Sequence, residues 1–520
     1  MKIKIYIVLF TLVVFSSCEL EEEIFSTVAP ETAFLTESDA EAGLAGAYIN
    51  FSSFAGYKDR TFQTLAALND GIVGLGGTGA ALISNKTANA SEVRLRDPWS
   101  MYFRTINNAF LVLDNVPAVE MDEATKTRIL GEAHFIVGFS YFNLVRMFGK
   151  AQIRTSVIVD DSDIYLPLSS KEEVYAIIIE HLLQAEEMCI LKSEQPSDEL
   201  GRATKGAVQA LLADVYLTLE DWNNAKTYAD KVINSGEYTL MSNYADLWDV
   251  ENELAAETSE VIFSIQFKRD PNNTGFFALG NSFVFNTNPN TGTFTGNGNG
   301  GGGSGGLRVQ KWFYDICTTG DYSDDYRSEV SFLTEYIHRS NGNTVLLYPN
   351  NGQENYSTKY QDPQGLDNRN HENDLYIYRL AEIYLIKAEA ENELGNTAGA
   401  YAAFNELRAR ARLADGTART TPPDLTPDLN QDDFREAVFT ERGVELNFEL
   451  KRWFDMIRMK RGNGDTYFTY MYRDFIPTLP ANTKNAPHLT YDPKYEVMAI
   501  PTLEILNNPN ITPADQNPGW

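Results

Sequence analysis

The sequence predicts a mainly α fold: helix pairs in a right-handed helical scaffold, interrupted by a large irregular, loop-rich insertion that contains short strands. Three observations carry that expectation. Long stretches set apolar residues three and four apart, as at Phe135, Phe139, Phe142 and Val145, the period of a helix that buries one face. A helix-pair pattern occurs twice, once from Ala213 to Val232 and again from Ala388 to Leu407. Between the copies, Asn286 to Gly306 is a Gly/Asn/Thr tract that cannot pack a core.

The chain has 520 residues, 43% hydrophobic and 22% charged, which is ordinary globular composition. At ~150 residues per domain, the length fits three or four units or one repeat-built body; the repeat favours one body. The 43 Lys and Arg against 72 Asp and Glu leave a net charge of −29. That balance argues against a nucleic-acid partner, whose phosphates demand positive charge. It also argues against docking on anionic lipid by a basic patch. It favours neutral over strongly acidic ligands, unless a local basic pocket reverses the sign.

At the start, Lys2 and Lys4 precede an apolar run from Ile5 to Phe15. Eleven helical residues rise only ~16 Å, about half of a ~30 Å hydrocarbon core. The segment 1–17 therefore reads as a secretory signal. Phe15-Ser16-Ser17-Cys18 resembles a bacterial lipobox, which makes Cys18 the lipidated residue; the plainer alternative is a signal cut at small residues. One triacylated cysteine anchors stably without a membrane span. The acidic run Glu19-Leu20-Glu21-Glu22-Glu23 makes 18–30 a solvated tether, similar to the export tag of surface-facing lipoproteins. Only Cys189 and Cys317 remain to pair, and Cys189, ending an amphipathic run from Val174 to Leu191, reads as a small buried hydrophobe.

Helical signals follow. Ser38-Asp39-Ala40-Glu41 is expected to cap a helix through Gly43, Ala47 and Tyr48. Gly71 to Asp97 reads as a long loop, and Pro98 as the opening of a helix bearing Trp99, Tyr102, Ile106 and Ala109. Glu132 to Phe148 is strongly helical. Ala213, Tyr216, Trp222, Ala225 and Val232 have the spacing of a tetratricopeptide helix-turn-helix, repeated by Ala388, Gly395, Ala400, Phe404 and Leu407. Small residues at the crossing let antiparallel helices approach. Within the insertion, Glu260 to Phe267 alternates like a strand. From Phe434 to Arg461 a single helix is expected to carry Glu441, Glu445, Glu449 and Arg452 on one face, as an ion-pair lattice under Phe448, Trp453 and Phe454.

Five blocks resemble the SusD/RagB family of outer-membrane lipoproteins. They are Glu132-Ala133 with Tyr141 to Gly149; Ala203 to Ala207; Arg379 to Ala390; the string from Glu441 to Arg458; and the tail Ala499-Ile500-Pro501 through Gln516-Asn517-Pro518-Gly519-Trp520. Ala499 and Trp520 depart mildly from the family's tail. The resemblance implies residues 31–237 as an N-terminal helical region, 238–373 as the ligand-binding insertion and 374–520 as the C-terminal helical region. It also implies nutrient capture at the cell surface as the lid of a SusC-like TonB-dependent transporter, with no cofactor, the nutrient being a glycan or, as in RagB-like relatives, a peptide.

Aromatic faces cover the C–H faces of sugars while polar side chains bond the hydroxyls. The candidate contacts are Trp312, Tyr314, Tyr322 and Tyr326 in the insertion, with Asp70 and Trp99 beside the first long loop. Asp321, Asp324 and Asp325 lack the Gly and terminal Glu of a calcium loop and read as a solvated turn. An enzyme is disfavoured: His134, His181, His338, His371 and His488 show no metalloprotease spacing, and neither a nucleophile elbow nor a P-loop is present. A purely structural scaffold is disfavoured by the aromatic insertion.

Overall fold

The structure, a computed structural model, describes residues 34–520 apart from 76–78, 159, 274–276, 290–291, 294–302, 339, 414–416 and 484–489. The signal segment 1–17, Cys18 and the tether 18–30 lie outside the described residues, as does His488.

The fold is mainly helical. Helix α1, Glu37–Tyr48, begins two residues before the cap read from sequence: Thr36 accepts from the Asp39 amide at 3.3 Å, and Asp39 accepts from the Thr36 amide at 2.8 Å, a reciprocal capping box. The expected loop 71–97 is largely ordered. Helix α2 (Arg60–Ala67) leads into strand β1 (Ile72–Gly74) and helix α3 (Gly79–Ser84). Helix α4 (Val93–Asn115) then starts five residues before Pro98, capped by the Glu92 carboxylate on the Arg94 amide. The polar run Val93-Arg94-Leu95-Arg96-Asp97 hid this start, but Leu95 is fully buried and pins the first turn.

Helices α5 (Glu123–Phe148) and α6 (Lys171–Met188) pack side by side, with α4 on α5 and α1 across α4. Asp122 caps α5, and Gly149, at φ 74°, ends it in the left-handed conformation that glycine tolerates. Helix α7 (Lys205–Thr218) packs on α6 and pairs with α8 (Trp222–Ile233).

The second helix pair, α12 (Leu380–Glu393) and α13 (Thr397–Ala411), continues the same array because α8 packs directly on α12. Ala225, Ala229, Ala388 and Ala400 are fully buried, which is why the alanine spacing was visible in the sequence. The intervening chain is closed at its base by strand β2 (Val261–Ile265), antiparallel to β9 (Leu375–Arg379), which runs straight into α12. Every residue of both strands is buried, so β2 is a core strand with two covered faces.

Inside that chain lie helices α9 (Phe283–Thr287), α10 (Lys311–Thr318) and α11 (Tyr326–Ser331). Strand β3 (Gly292–Thr293) precedes β4 (Leu307–Val309), which pairs with β1 in the register Ile72↔Val309 and Gly74↔Leu307. Strands β5 (Phe332–Leu333), β6 (Glu335–His338), β7 (Thr344–Leu346) and β8 (Tyr356–Ser357) complete short pairings, β3–β6–β7 and β5–β8.

The expected single helix from Phe434 to Arg461 is two: α14 (Gln431–Glu445) and α15 (Arg452–Arg458). Phe448 and Leu450, at φ 61° and 64°, turn the chain between them. Such non-glycine conformations cost about 1–3 kcal/mol each, and burial of both side chains holds them. Glu441, Glu445 and Glu449 still share one buried lattice. Arg327 donates to Glu441 at 2.6 Å and Glu445 at 2.8 Å, and Arg379 to Glu260 at 2.9 Å and Glu449 at 2.7 Å. Arg410 and Lys359 complete it. Burial opposes ionisation of Glu445, yet Arg410, Arg379 and Arg327 hold it well below the carboxylate range. Arg452 is not part of this lattice; its partner is Asp70. A last helix, α16 (Thr502–Asn507), lies in the tail. Cys189 and Cys317 are buried free thiols.

Candidate functional site

A cleft of about 420 Å³ opens between α2, the starts of α3 and α4, α9, and the approach to β4. The residues that build it come from six separate stretches of chain. Helix α2 contributes Arg60 and Gln63, with Asp59 just ahead of it; α3 contributes Gly79; α4 contributes Arg94. Phe285, Asn286, Ser304 and Arg369 form the opposite wall. The β1–β4 pairing holds that wall in register, since Gly74 sits opposite Leu307.

Gln63 is the hub. Its amide nitrogen donates to Asp59 at 2.8 Å and to Asn286 at 3.0 Å, and its amide oxygen accepts from Arg94 Nε at 3.0 Å. Only 5% of Gln63 is exposed, so these bonds are made away from water and each is costly to lose. Asp59 stands at the N-cap of α2 but makes no capping bond; instead it accepts from Gln63 and from Arg369 Nη1 at 3.0 Å. Burial pushes the Asp59 carboxyl up, against the opposing charges of Arg369 and Arg60.

Two guanidiniums lie over rings: Arg369 is 3.3 Å from the Phe285 centroid, and Arg60 is 4.9 Å from that of Phe54. Stacking fixes the plane of each fork without consuming its hydrogen bonds. Arg94 donates through Nη1 to Glu92 at 3.2 Å. Gly79 leaves room for it, because a Cβ there would push Arg94 Nη1 aside. Just beyond the cleft's Asp59, Lys58 holds the Ala278 carbonyl, and the adjoining Phe277 ring stands 85% exposed.

The residues singled out from sequence lie elsewhere. Trp312 is 2% exposed and packs edge-on against Phe313 and Phe475. Tyr314 is half-buried against Phe332 and Tyr348. Tyr322 is buried and donates to Glu441 at 2.9 Å, while Tyr326 lies under the Arg419 guanidinium. Asp70 is consumed by Arg452 at 2.9 and 3.0 Å. Trp99 packs on Phe103 and Phe148 and donates to Glu504. Trp312, Tyr314, Tyr322 and Tyr326 share one physical reason: a long irregular segment needs its own core, and its aromatics supply it; Trp99 instead packs inside the N-terminal helices, and Asp70 is held in an ion pair. Asp321, Asp324 and Asp325 pair with Arg408, Arg419 and Arg327. Among the described residues no group of three or more His, Cys, Asp or Glu side chains is placed to hold a metal. The cleft residues were missed because Arg60, Gln63, Arg94 and Arg369 form no local motif.

A stack of helix pairs carrying a polar cleft built from distant loops defines a scaffolded binding-protein architecture. Residues 37–217 match a family model described as "Starch-binding associating with outer membrane", and 333–520 match the model of the SusD family. The chain belongs to the SusD/RagB family. A SusD-like protein of Formosa agariphila is 28% identical, with 100% of each chain covered. The crystal structure of a SusD homologue from Bacteroides thetaiotaomicron superposes with a TM-score of 0.80 at 22% identity, covering 94% of this chain and 98% of that one. A laminarin-binding SusD-like protein superposes with a TM-score of 0.71 at 24% identity, covering 94% and 100%.

Proposed function

We propose that this protein is a non-enzymatic capture protein that binds an oligosaccharide in the Gln63-centred cleft. It would deliver that ligand to a SusC-like TonB-dependent transporter, from a lipid anchor on Cys18 at the outer face of the outer membrane. The observation that carries the reading is the hub itself: a 5%-exposed amide cross-linking Asp59, Asn286 and Arg94 in the wall of an open cleft. A buried polar network of this kind pre-orients the forks around it. The region 31–237 supplies one wall, and the insertion 238–373 supplies the other through Phe285, Ser304 and Arg369. Phe277, 85% exposed next to the Ala278 carbonyl that Lys58 holds, offers a further apolar face. The family description as starch-binding and outer-membrane-associated, and the laminarin-binding relative, support the ligand class and the location.

Isothermal titration of the full chain against a panel of oligosaccharides tests this. At least one glycan should bind the wild type and lose affinity about tenfold or more in Gln63→Met. Binding that Gln63→Met leaves intact would move the site elsewhere. Recovery of a large β-barrel transporter with the detergent-extracted protein tests the partner.

A further inference from the structure

The cleft lining holds three guanidiniums, Arg60, Arg94 and Arg369, against one carboxylate, Asp59, in a chain whose net charge is −29. Each side-chain acceptor of the Gln63 network already holds a donor. Asp59 receives Gln63 and Arg369, Asn286 Oδ1 receives Gln63, and Gln63 Oε1 receives Arg94. Donors are in excess. Arg60 Nε is buried, makes no hydrogen bond among the described residues, and lies 3.8 Å from Asp97; Asp97 itself is held by Arg96 at 2.8 Å. Arg94 spends Nε and Nη1 on Gln63 and Glu92.

The charges also strain one another. Burial first, and then the charge of Arg60, pull Arg94 below the ordinary guanidinium range; burial does the same to Arg369, with Arg60 again adding to it. A neutral sugar hydroxyl is both donor and acceptor, whereas the three guanidiniums offer donors only. An oxyanion is acceptor-only, and a planar carboxylate or two oxygens of a tetrahedral sulfate match a guanidinium fork.

Resting on the capture reading above, we propose that the cleft takes an acidic glycan, one that presents a carboxylate or sulfate to Arg60 and Arg94. This reverses the expectation drawn from net charge, because the cleft lining itself presents three guanidiniums and one carboxylate, with Glu92 and Asp97 set behind Arg94 and Arg60.

Titration of the full chain with oligogalacturonate, a sulfated carrageenan oligosaccharide and neutral laminarihexaose tests it. One acidic probe should bind about tenfold tighter than the neutral one, and weaken as salt rises from about 50 to about 500 mM; which acid wins separates carboxylate from sulfate. Arg60→Gln should erase most of that preference, weakening the acidic probe about tenfold and laminarihexaose clearly less. Arg60→Lys, which keeps charge but not the fork, should recover part of it, and unchanged melting of both variants excludes misfolding. Equal or tighter binding of laminarihexaose, or an Arg60→Gln loss equal for all probes, overturns the acidic-ligand inference alone. Binding of hexaglutamate as tightly as oligogalacturonate overturns it too, since charge without a sugar would suffice. No oligosaccharide binding at all overturns the capture reading beneath it.

Discussion

Asp70 and Arg452 lie 382 residues apart and meet as a bidentate pair at 2.9 and 3.0 Å. The pair joins the turn between α2 and β1 to the C-terminal motif, with Arg452 also 3.5 Å from the Phe439 ring centroid and donating to the Phe439 carbonyl. Asp70 is 1% exposed, so its role is to close the fold.

Removing it leaves a buried guanidinium uncompensated. Asp70→Ala should cost about 3–5 kcal/mol of stability, read as a fall in the denaturation midpoint. The folded fraction should keep its oligosaccharide affinity. A stable Asp70→Ala that has lost binding would return Asp70 to the ligand site.

Phe277 and Trp312 separate ring exposure from ring burial. Trp312→Ala opens a core cavity and should destabilise by about 3–5 kcal/mol with affinity retained once folded. Phe277→Ala removes an 85%-exposed ring; melting should hold and glycan affinity should fall, whereas unchanged affinity would place the ring outside the ligand's footprint.

Gly79→Ala tests how Arg94 is positioned. A Cβ there pushes Nη1 aside and displaces the guanidinium from Glu92, so affinity should drop about as much as in Arg94→Gln, with little change in melting. Wild-type affinity in Gly79→Ala would mean that Arg94 does not touch the ligand.

Between α5 and α6, His134 Nδ1 and His181 Nδ1 stand 2.8 Å apart. Burial pulls His134 down to about 4; burial, then the His134 charge, pulls His181 down to about 3. Both folded-state values lie below the unfolded value of 6.5. Their contribution to stability is therefore complete above pH 6.5 and is lost as pH falls through about 4. His181→Leu should flatten the melting-temperature decline across that window; an unchanged decline would assign it to other groups.

The helix pairs were legible because alanine at each crossing leaves a periodic trace, as at Ala225 and Ala400. The lattice of Glu441 and Glu445 was legible for the same reason. Its break at Phe448 and Leu450 was not, since apolar residues forced to positive φ by tertiary packing leave no local mark. The Arg452 pairing failed on distance: helical periodicity places residues on a face but says nothing of a partner 382 positions away. The cleft was hidden similarly. Gln63, Arg94, Asn286 and Arg369 are unremarkable singly, whereas Trp312 and Tyr322 are conspicuous and belong to the core.

The central claim is that the Gln63 cleft is where the ligand sits, and a crystal structure of the full chain with its tightest oligosaccharide tests it most directly. Sugar density within hydrogen-bonding reach of Arg60 and Arg94, beside Arg369 on Phe285, is the expected result. Sugar bound over another face, with the cleft empty at saturating ligand, would contradict it.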